Sequence, residues 1–131
     1  MLNHITVRVS DMQKSKIFYS QILRPLGYKL LAENKKTVGF GIEPTEGRHD
    51  FWLIPGEGGQ QPHSFSCLAF TAGNKQMVDE FYRAGIEAGG KDNGPPGYRK
   101  QYHPGYYAAF VLDPDGHNIE AVFDDWSMTQ S

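Results

Sequence analysis

The sequence predicts an α+β fold built from two tandem β-α-β-β-β units. Three observations lead there: hydrophobic periodicity that switches between strand and helix, an internal repeat, and Gly- and Pro-rich punctuation between the runs. The 131 residues suit one domain, 1–131, with a first unit over 1–60 and a second over 64–131.

Residues 2–10 alternate as a strand. Ile5, Val7 and Val9 share one face, and His4, Thr6 and Arg8 share the other. The apolar face can pack on a helix; the polar face can line a cavity, a groove or solvent. Asp11 then offers an N-cap side chain, and Met12, Phe18, Ile22 and Leu23 follow at helical spacing until Pro25 and Gly27 stop the helix. Short strands are expected around 28–33, 37–42 and 50–54, and "PGEGGQQPH", 55–63, reads as a linker. After it the order restarts. A strand over 66–72 leads to a cap at Asn74 and a helix over 75–89 carrying Met77, Val78, Phe81 and Ile86. "KDNGPPGYRKQYHPG" reads as a loop, and the strands "YYAAFVL" and "HNIEAVF" close the unit around the tight turn "DPDG".

The repeat is visible in the letters. Laid over residues 67–82, residues 4–19 set Phe18-Tyr19 on Phe81-Tyr82, Gln13 on Gln76 and the cap Asp11 on Asn74. Laid over 115–122, residues 47–54 set His49 on His117 and Asp50 on Asn118. Neither unit is large enough to close a core alone, so the two should pack together.

Composition narrows the function. Charged residues make up 21% and apolar residues 39%, enough to fold, and a net charge of −2 speaks against nucleic acid as a partner. No run approaches the about 18 apolar residues that cross a membrane. The start "MLNHITVRVSD" has neither the basic beginning nor the apolar core of a signal peptide. The single cysteine, Cys67, excludes an internal disulfide. Together these predict a soluble, cytoplasmic protein. The glycines of "GEGGQQ" form no phosphate cradle, and no serine or cysteine sits in a nucleophile elbow.

"HITVRVSDMQKSKIFY", the repeat opening at "CLAF", and "FVLDPDGHNIEAV" resemble the vicinal-oxygen-chelate superfamily over nearly the whole chain. That superfamily includes glyoxalase I, fosfomycin-resistance proteins, extradiol dioxygenases and bleomycin-binding proteins. The resemblance implies that the strands of both units curl into a cavity-forming open barrel with a divalent metal ion on its floor. It implies ligand positions at His4, Trp52, Cys67 and Glu120. His4 and Glu120 match the family's ligand types. Indole cannot ligate a metal, so Trp52 breaks the four-ligand set of glyoxalase I, and Cys67 stands where a histidine is usual. The metal set carried over is thus His4, Cys67 and Glu120, with Glu120 also the catalytic candidate. The ion could be Zn, Fe, Mn or Ni, and a thiolate favours the softer of these.

Each residue also has a plainer reading. Cys67 can be a small buried hydrophobe, and His4 a satisfied histidine at a strand start. Glu120 interrupts an apolar strand, so burial would oblige it to find a metal, Arg8 or a substrate proton; the alternative is an edge strand in water. Arg8 can hold an anionic substrate or pair with Glu120. Trp52, Tyr102, Tyr106 and Tyr107 can line an aromatic pocket or belong to the core, and His103 can reach a cavity mouth. By alternation His117 faces away from Glu120. Arg8, Trp52, Tyr102 and His103 are the substrate-binding candidates. The resemblance implies a metal-dependent lyase- or dioxygenase-like enzyme acting on a small oxygen-bearing metabolite or xenobiotic. Its alternative is a metal-free binding protein of the bleomycin-resistance type. A homodimer is expected by the same analogy, with the cavity inside one chain or shared between chains.

Overall fold

Each helix begins where a capping side chain meets its first exposed amides. In the computed structural model, which describes residues 3–42, 50–56 and 67–129, Asp11 accepts the Lys14 amide at 3.1 Å and opens α1 (Met12–Ile22). Asn74 accepts the Met77 amide at 2.8 Å and opens α2 (Lys75–Glu87). A short 3-10 turn, Arg24–Leu26, follows α1, and Gly27 closes it at φ 89°, the left-handed region where glycine is unstrained. The correspondence between the two halves is therefore physical. Both caps do the same work, and Phe18 and Phe81 are both fully buried. Burying each such ring contributes roughly 1.5–3 kcal/mol.

The strands form two curved sheets that do not close into a barrel. The first has the order β1 (Ile5–Val9), β4 (Phe51–Pro55), β3 (Val38–Gly41), β2 (Lys29–Glu33). The second has the order β5 (Leu68–Thr71), β9 (Asn118–Asp124), β8 (Tyr106–Leu112), β6 (Lys91–Asp92), and β7 (Gly97–Tyr98) also pairs with β8. In each half the opening strand pairs parallel with the closing one: β1 with β4, and β5 with β9. The segment read as a loop before β8 thus contains two strands of two residues each. His49, set on His117 by the repeat, lies outside the described residues, as does most of the expected linker.

The helices lie against the inward faces of the sheets and against each other. Val7, Val9, Phe51 and Leu53 from the first sheet meet Phe70, Ala109, Val111, Ile119 and Ala121 from the second, with Phe18, Tyr19, Ile22, Val78 and Phe81 from the helices. Edge-to-face contacts run through the centre: Tyr28 on Phe70 at 5.4 Å and Phe51 on Phe70 at 5.4 Å. The turn between β8 and β9 ties the halves together. Tyr19 donates to Asp113, Ser10 donates to Asp115, and Asp113 accepts the His117 amide at 2.8 Å. His117 is buried with Nε2 at 3.3 Å from the Arg8 carbonyl. It therefore serves this tether, away from Glu120.

Candidate functional site

Core packing of one face leaves the other face of each sheet for function. On β1, Val7 and Val9 point into the core, so His4, Thr6 and Arg8 are exposed. Register sets Trp52 beside Thr6, and Ile54 beside Arg8. The Trp52 ring lies across Gly39 of β3: a Cβ added there would come within 2.9 Å of the indole. Glycine makes the space that lets this ring lie flat on the sheet. Arg8 Nη1 reaches the Pro55 carbonyl at 3.4 Å.

The corresponding face of the second sheet holds Glu120. It neighbours Ala69 of β5 and Phe110 of β8. Although it is only 5% exposed, both carboxylate oxygens are satisfied. Cys67 Sγ donates to Oε1 at 3.3 Å, and the Tyr106 hydroxyl donates to Oε2. Burial and then the bond to Glu120 push the Cys67 thiol from 9.0 up to about 12. The same two causes, in the same order, raise the Tyr106 phenol above its usual 10.0. Cys67 is exposed as a residue while its sulfur leans onto the buried carboxylate.

Beside this centre stands an aromatic group. Tyr102 lies 4.7 Å from Tyr106 between ring centres, and His103 stacks on Trp126 at 4.4 Å with the planes 12° apart. His103 Nδ1 accepts the Gly105 amide at 3.2 Å, which assigns the ring proton to Nε2, where Asp124 accepts it at 2.9 Å. Tyr102 and Trp126 are exposed. The Arg99 guanidinium covers the Phe110 ring at 5.6 Å. Tyr107 alternates to the opposite face, where its hydroxyl donates to Asp79 of α2 at 2.6 Å. It belongs with the helix rather than with this aromatic group.

The three metal candidates are only partly brought together. Cys67 and Glu120 touch. His4 lines a cleft of about 440 Å³ between the start of β1 and β5, with Tyr28, Asp50, Phe51 and Phe70 among its neighbours, and its Nδ1 is 2.7 Å from Asn3 Oδ1. Among the described residues, the only His, Cys, Asp or Glu group whose three ligand atoms lie within 4.8 Å of one another is Asp113, Asp115 and His117, the tether of the two halves. Sequence reasoning did not single out Tyr106 as the partner of Glu120, nor Asp124 and Trp126 as the supports of His103. Alternation carried the first signal, since Tyr106, Ala108 and Phe110 share one face of β8.

Two sheets with parallel opening and closing strands, flanking a buried glutamate, define a recognisable class. The family model of the Glyoxalase/Bleomycin resistance protein/Dioxygenase superfamily matches residues 1–121, and the chain belongs to that superfamily. It is 32% identical to the uncharacterized protein YqjT of Bacillus subtilis (strain 168), over 92% of this chain and 97% of that one. It is 30% identical to the metallothiol transferase FosB of Shouchella clausii (strain KSM-K16), over 91% of this chain and 77% of that one. Among solved structures, a glyoxalase/bleomycin resistance protein from Albidiferax ferrireducens T118 superposes with a TM-score of 0.77 at 32% identity, covering 92% of this chain and 96% of the other.

Two donors of metal-ligating type, a thiol and a carboxylate, meet at this centre. Ligand bonds of about 2.3 Å to sulfur and about 2.0–2.2 Å to oxygen, at a tetrahedral angle, would set the two donor atoms roughly 3.5 Å apart. Cys67 Sγ and Glu120 Oε1 are already 3.3 Å apart. The pair fits.

Proposed function

We propose that this chain is a metal-dependent enzyme, of lyase or dioxygenase type, that acts on a small oxygen-bearing metabolite or xenobiotic in the cytoplasm. One observation carries the reading: the buried Glu120, held between the Cys67 thiol and the Tyr106 hydroxyl on the sheet face turned away from the helices. Its similarity to a protein named as a metallothiol transferase supports it. In this reading the whole chain works as one domain, with 1–60 and 64–131 as its two units. Two chains pair so that His4 of one copy joins Cys67 and Glu120 of the other. Within one chain His4, Cys67 and Glu120 do not form a close three-ligand group, which favours such a homodimer.

A bound divalent ion would polarise adjacent oxygens of the substrate. Cys67 and Glu120 would hold it, and Tyr106 would keep the second carboxylate oxygen turned away from it. Arg8, exposed on the face of His4, would grip an anionic group of the substrate in a forked contact. Trp52 would wall one side, and Tyr102 and His103 would cover the other with apolar ring surface while Asp124 fixes the imidazole. Glu120 is the catalytic candidate of this scheme, because it would hold the ion that polarises the reacting oxygens.

The alternative is a metal-free binding protein of the bleomycin-resistance type. The flat Trp52 ring over Gly39 and the exposed Tyr102 and Trp126 favour it, since such surfaces suit a planar ligand. Elemental analysis of untagged protein purified without chelator separates the two. The enzyme reading expects near-stoichiometric metal that is lost in His4→Ala and in Glu120→Gln while both variants stay folded. Protein that holds no metal and takes up none on titration would leave the binding reading.

A further inference from the structure

We propose that Arg99 is an anion-binding residue on the face of Glu120, and that the ligand of this face carries a carboxylate or phosphonate group. The proposal rests on the reading of that face as the ligand face, which the enzyme and the binding protein share. It adds the chemical class of the ligand.

Strand pairing decides where the side chain points. Gly97 lies opposite Ala108, and Tyr98 opposite Tyr107. One step further along, the Arg99 amide donates to the Tyr106 carbonyl at 2.7 Å. Opposed residues share a face, so Arg99 rises on the side of Tyr106 and Ala108, while Tyr98 meets Tyr107 edge to face on the other side at 5.1 Å. Phe110 also stands on the Tyr106 side, and it lies opposite Glu120 of β9. The Arg99 guanidinium, 5.6 Å from the centre of the Phe110 ring, is thus a cation one ring away from the strand position of the buried carboxylate.

The cation is held in place. Its Nη2 donates to the Pro95 carbonyl. Two glycines leave it room: a Cβ at Gly94 would stand 3.1 Å from Nη2, and one at Gly97 would stand 3.0 Å from Nη1. Yet no acid answers its charge. Among the described residues no carboxylate pairs with the half-buried Arg99, and the Pro95 carbonyl is the one acceptor that its guanidinium bonds. Glu120, on the same face, gives its oxygens to Cys67 and Tyr106 instead. Holding a cation partly out of water costs free energy unless an anion meets it. Most N–H donors of the planar fork remain for a ligand, and two oxygens of one acid group match that fork. The fold has already ordered the side chain, so an oxyanion gains a partner fixed in advance. Arg8 is carried by the other sheet, which makes Arg99 a separate anchor.

The test is titration of the full-length, nitrogen-15-labelled protein with benzoate and phenylphosphonate, and with benzamide as a neutral probe. The Arg99 side-chain Nε–H signal, identified by its loss in Arg99→Lys, should shift saturably with at least one acid and not with benzamide. Amides of β8 and β9 should move with it. Affinity for that acid, followed at those amides, should fall by at least about tenfold in Arg99→Gln, the loss expected of a hydrogen bond between charged groups. It should fall in Arg99→Lys as well, which keeps the charge without the planar fork. Which acid binds more tightly distinguishes a carboxylate ligand from a phosphonate one. An equal response to benzamide, or an affinity unchanged in both variants while the amides of β8 and β9 still move, would overturn the anion site and leave the ligand face standing. No movement of those amides with any probe would overturn the ligand-face reading and the proposal with it. Arg99→Lys retains the stem beside Phe110, so it tests the fork even where Arg99→Gln fails to fold, and the amide spectrum shows which variants are folded.

Discussion

Tyr19 of α1 donates its hydroxyl to Asp113 at the end of β8, joining positions 94 residues apart through the middle of the molecule. Asp113 also accepts the amides of Asp115 and His117, at 2.9 and 2.8 Å, so one carboxylate gathers three donors from both halves. Removing the phenol would leave a buried oxygen short of its partner, which costs about 1–3 kcal/mol. Tyr19→Phe should lower the stability measured by urea denaturation by that amount. A change below the scatter of the measurement would mean that the Tyr19–Asp113 bond does not help to hold the two halves together.

Several weak acids in this fold keep their protons more firmly when folded. Burial first, then Asp113, raises the Tyr19 phenol well above 10.0; burial and Glu120 raise the Cys67 thiol from 9.0 to about 12. Burial and Asp79 raise Tyr107 from 10.0 to about 12. For such groups the folded state binds more protons than the unfolded state above the unfolded pKa. Their stabilisation is complete below about pH 9 and is lost as the pH rises through the folded values. Burial raises the Asp113 carboxyl above 3.8 as well, so its contribution declines as the pH climbs out of that acid range. Urea midpoints measured from neutral to strongly alkaline pH should therefore fall steeply above about pH 9, and less steeply in Tyr107→Phe. A flat alkaline profile would contradict the assignment.

The contact between Gly39 and Trp52 yields a third expectation. A methyl group at position 39 would stand 2.9 Å from two ring carbons, too close to tolerate, so the indole must swing off the sheet. Gly39→Ala should shift the tryptophan emission to longer wavelength and weaken binding of planar ligands. The fold should survive, at a cost of about 1–3 kcal/mol for the crowding. An unchanged spectrum would show that the ring has another resting place.

Some of this was legible in the letters and some was not, for physical reasons. The repeated cap and aromatic pair, Asp11 with Phe18 and Asn74 with Phe81, announced two equivalent helices, because capping and burial impose the same residue types wherever the unit occurs. The strands at Lys91–Asp92 and Gly97–Tyr98 escaped, since two residues cannot display a period. Alternation revealed which face His4 and Glu120 occupy. It carries no information on how two sheets sit against each other, so the distance between those residues was invisible. The turn "DPDG" read as a simple reversal, while its aspartates also bind Ser10 and Tyr19, partners that only the tertiary fold supplies.

The pairing of β1 with β4, and of β5 with β9, governs the order in which the chain can be completed during synthesis. As the chain leaves the ribosome, β1 has no neighbour until β4, the last strand of its own half, emerges, and β5 waits likewise for β9. Asp113 and Asp115, which fasten onto Tyr19 and Ser10, emerge only with the second half. The amino-terminal half can therefore pair its strands once β4 is made, but its apolar core face stays uncovered until the second half follows. Such late closure slows folding and lengthens the interval in which a chaperone or a neighbouring chain can capture that face.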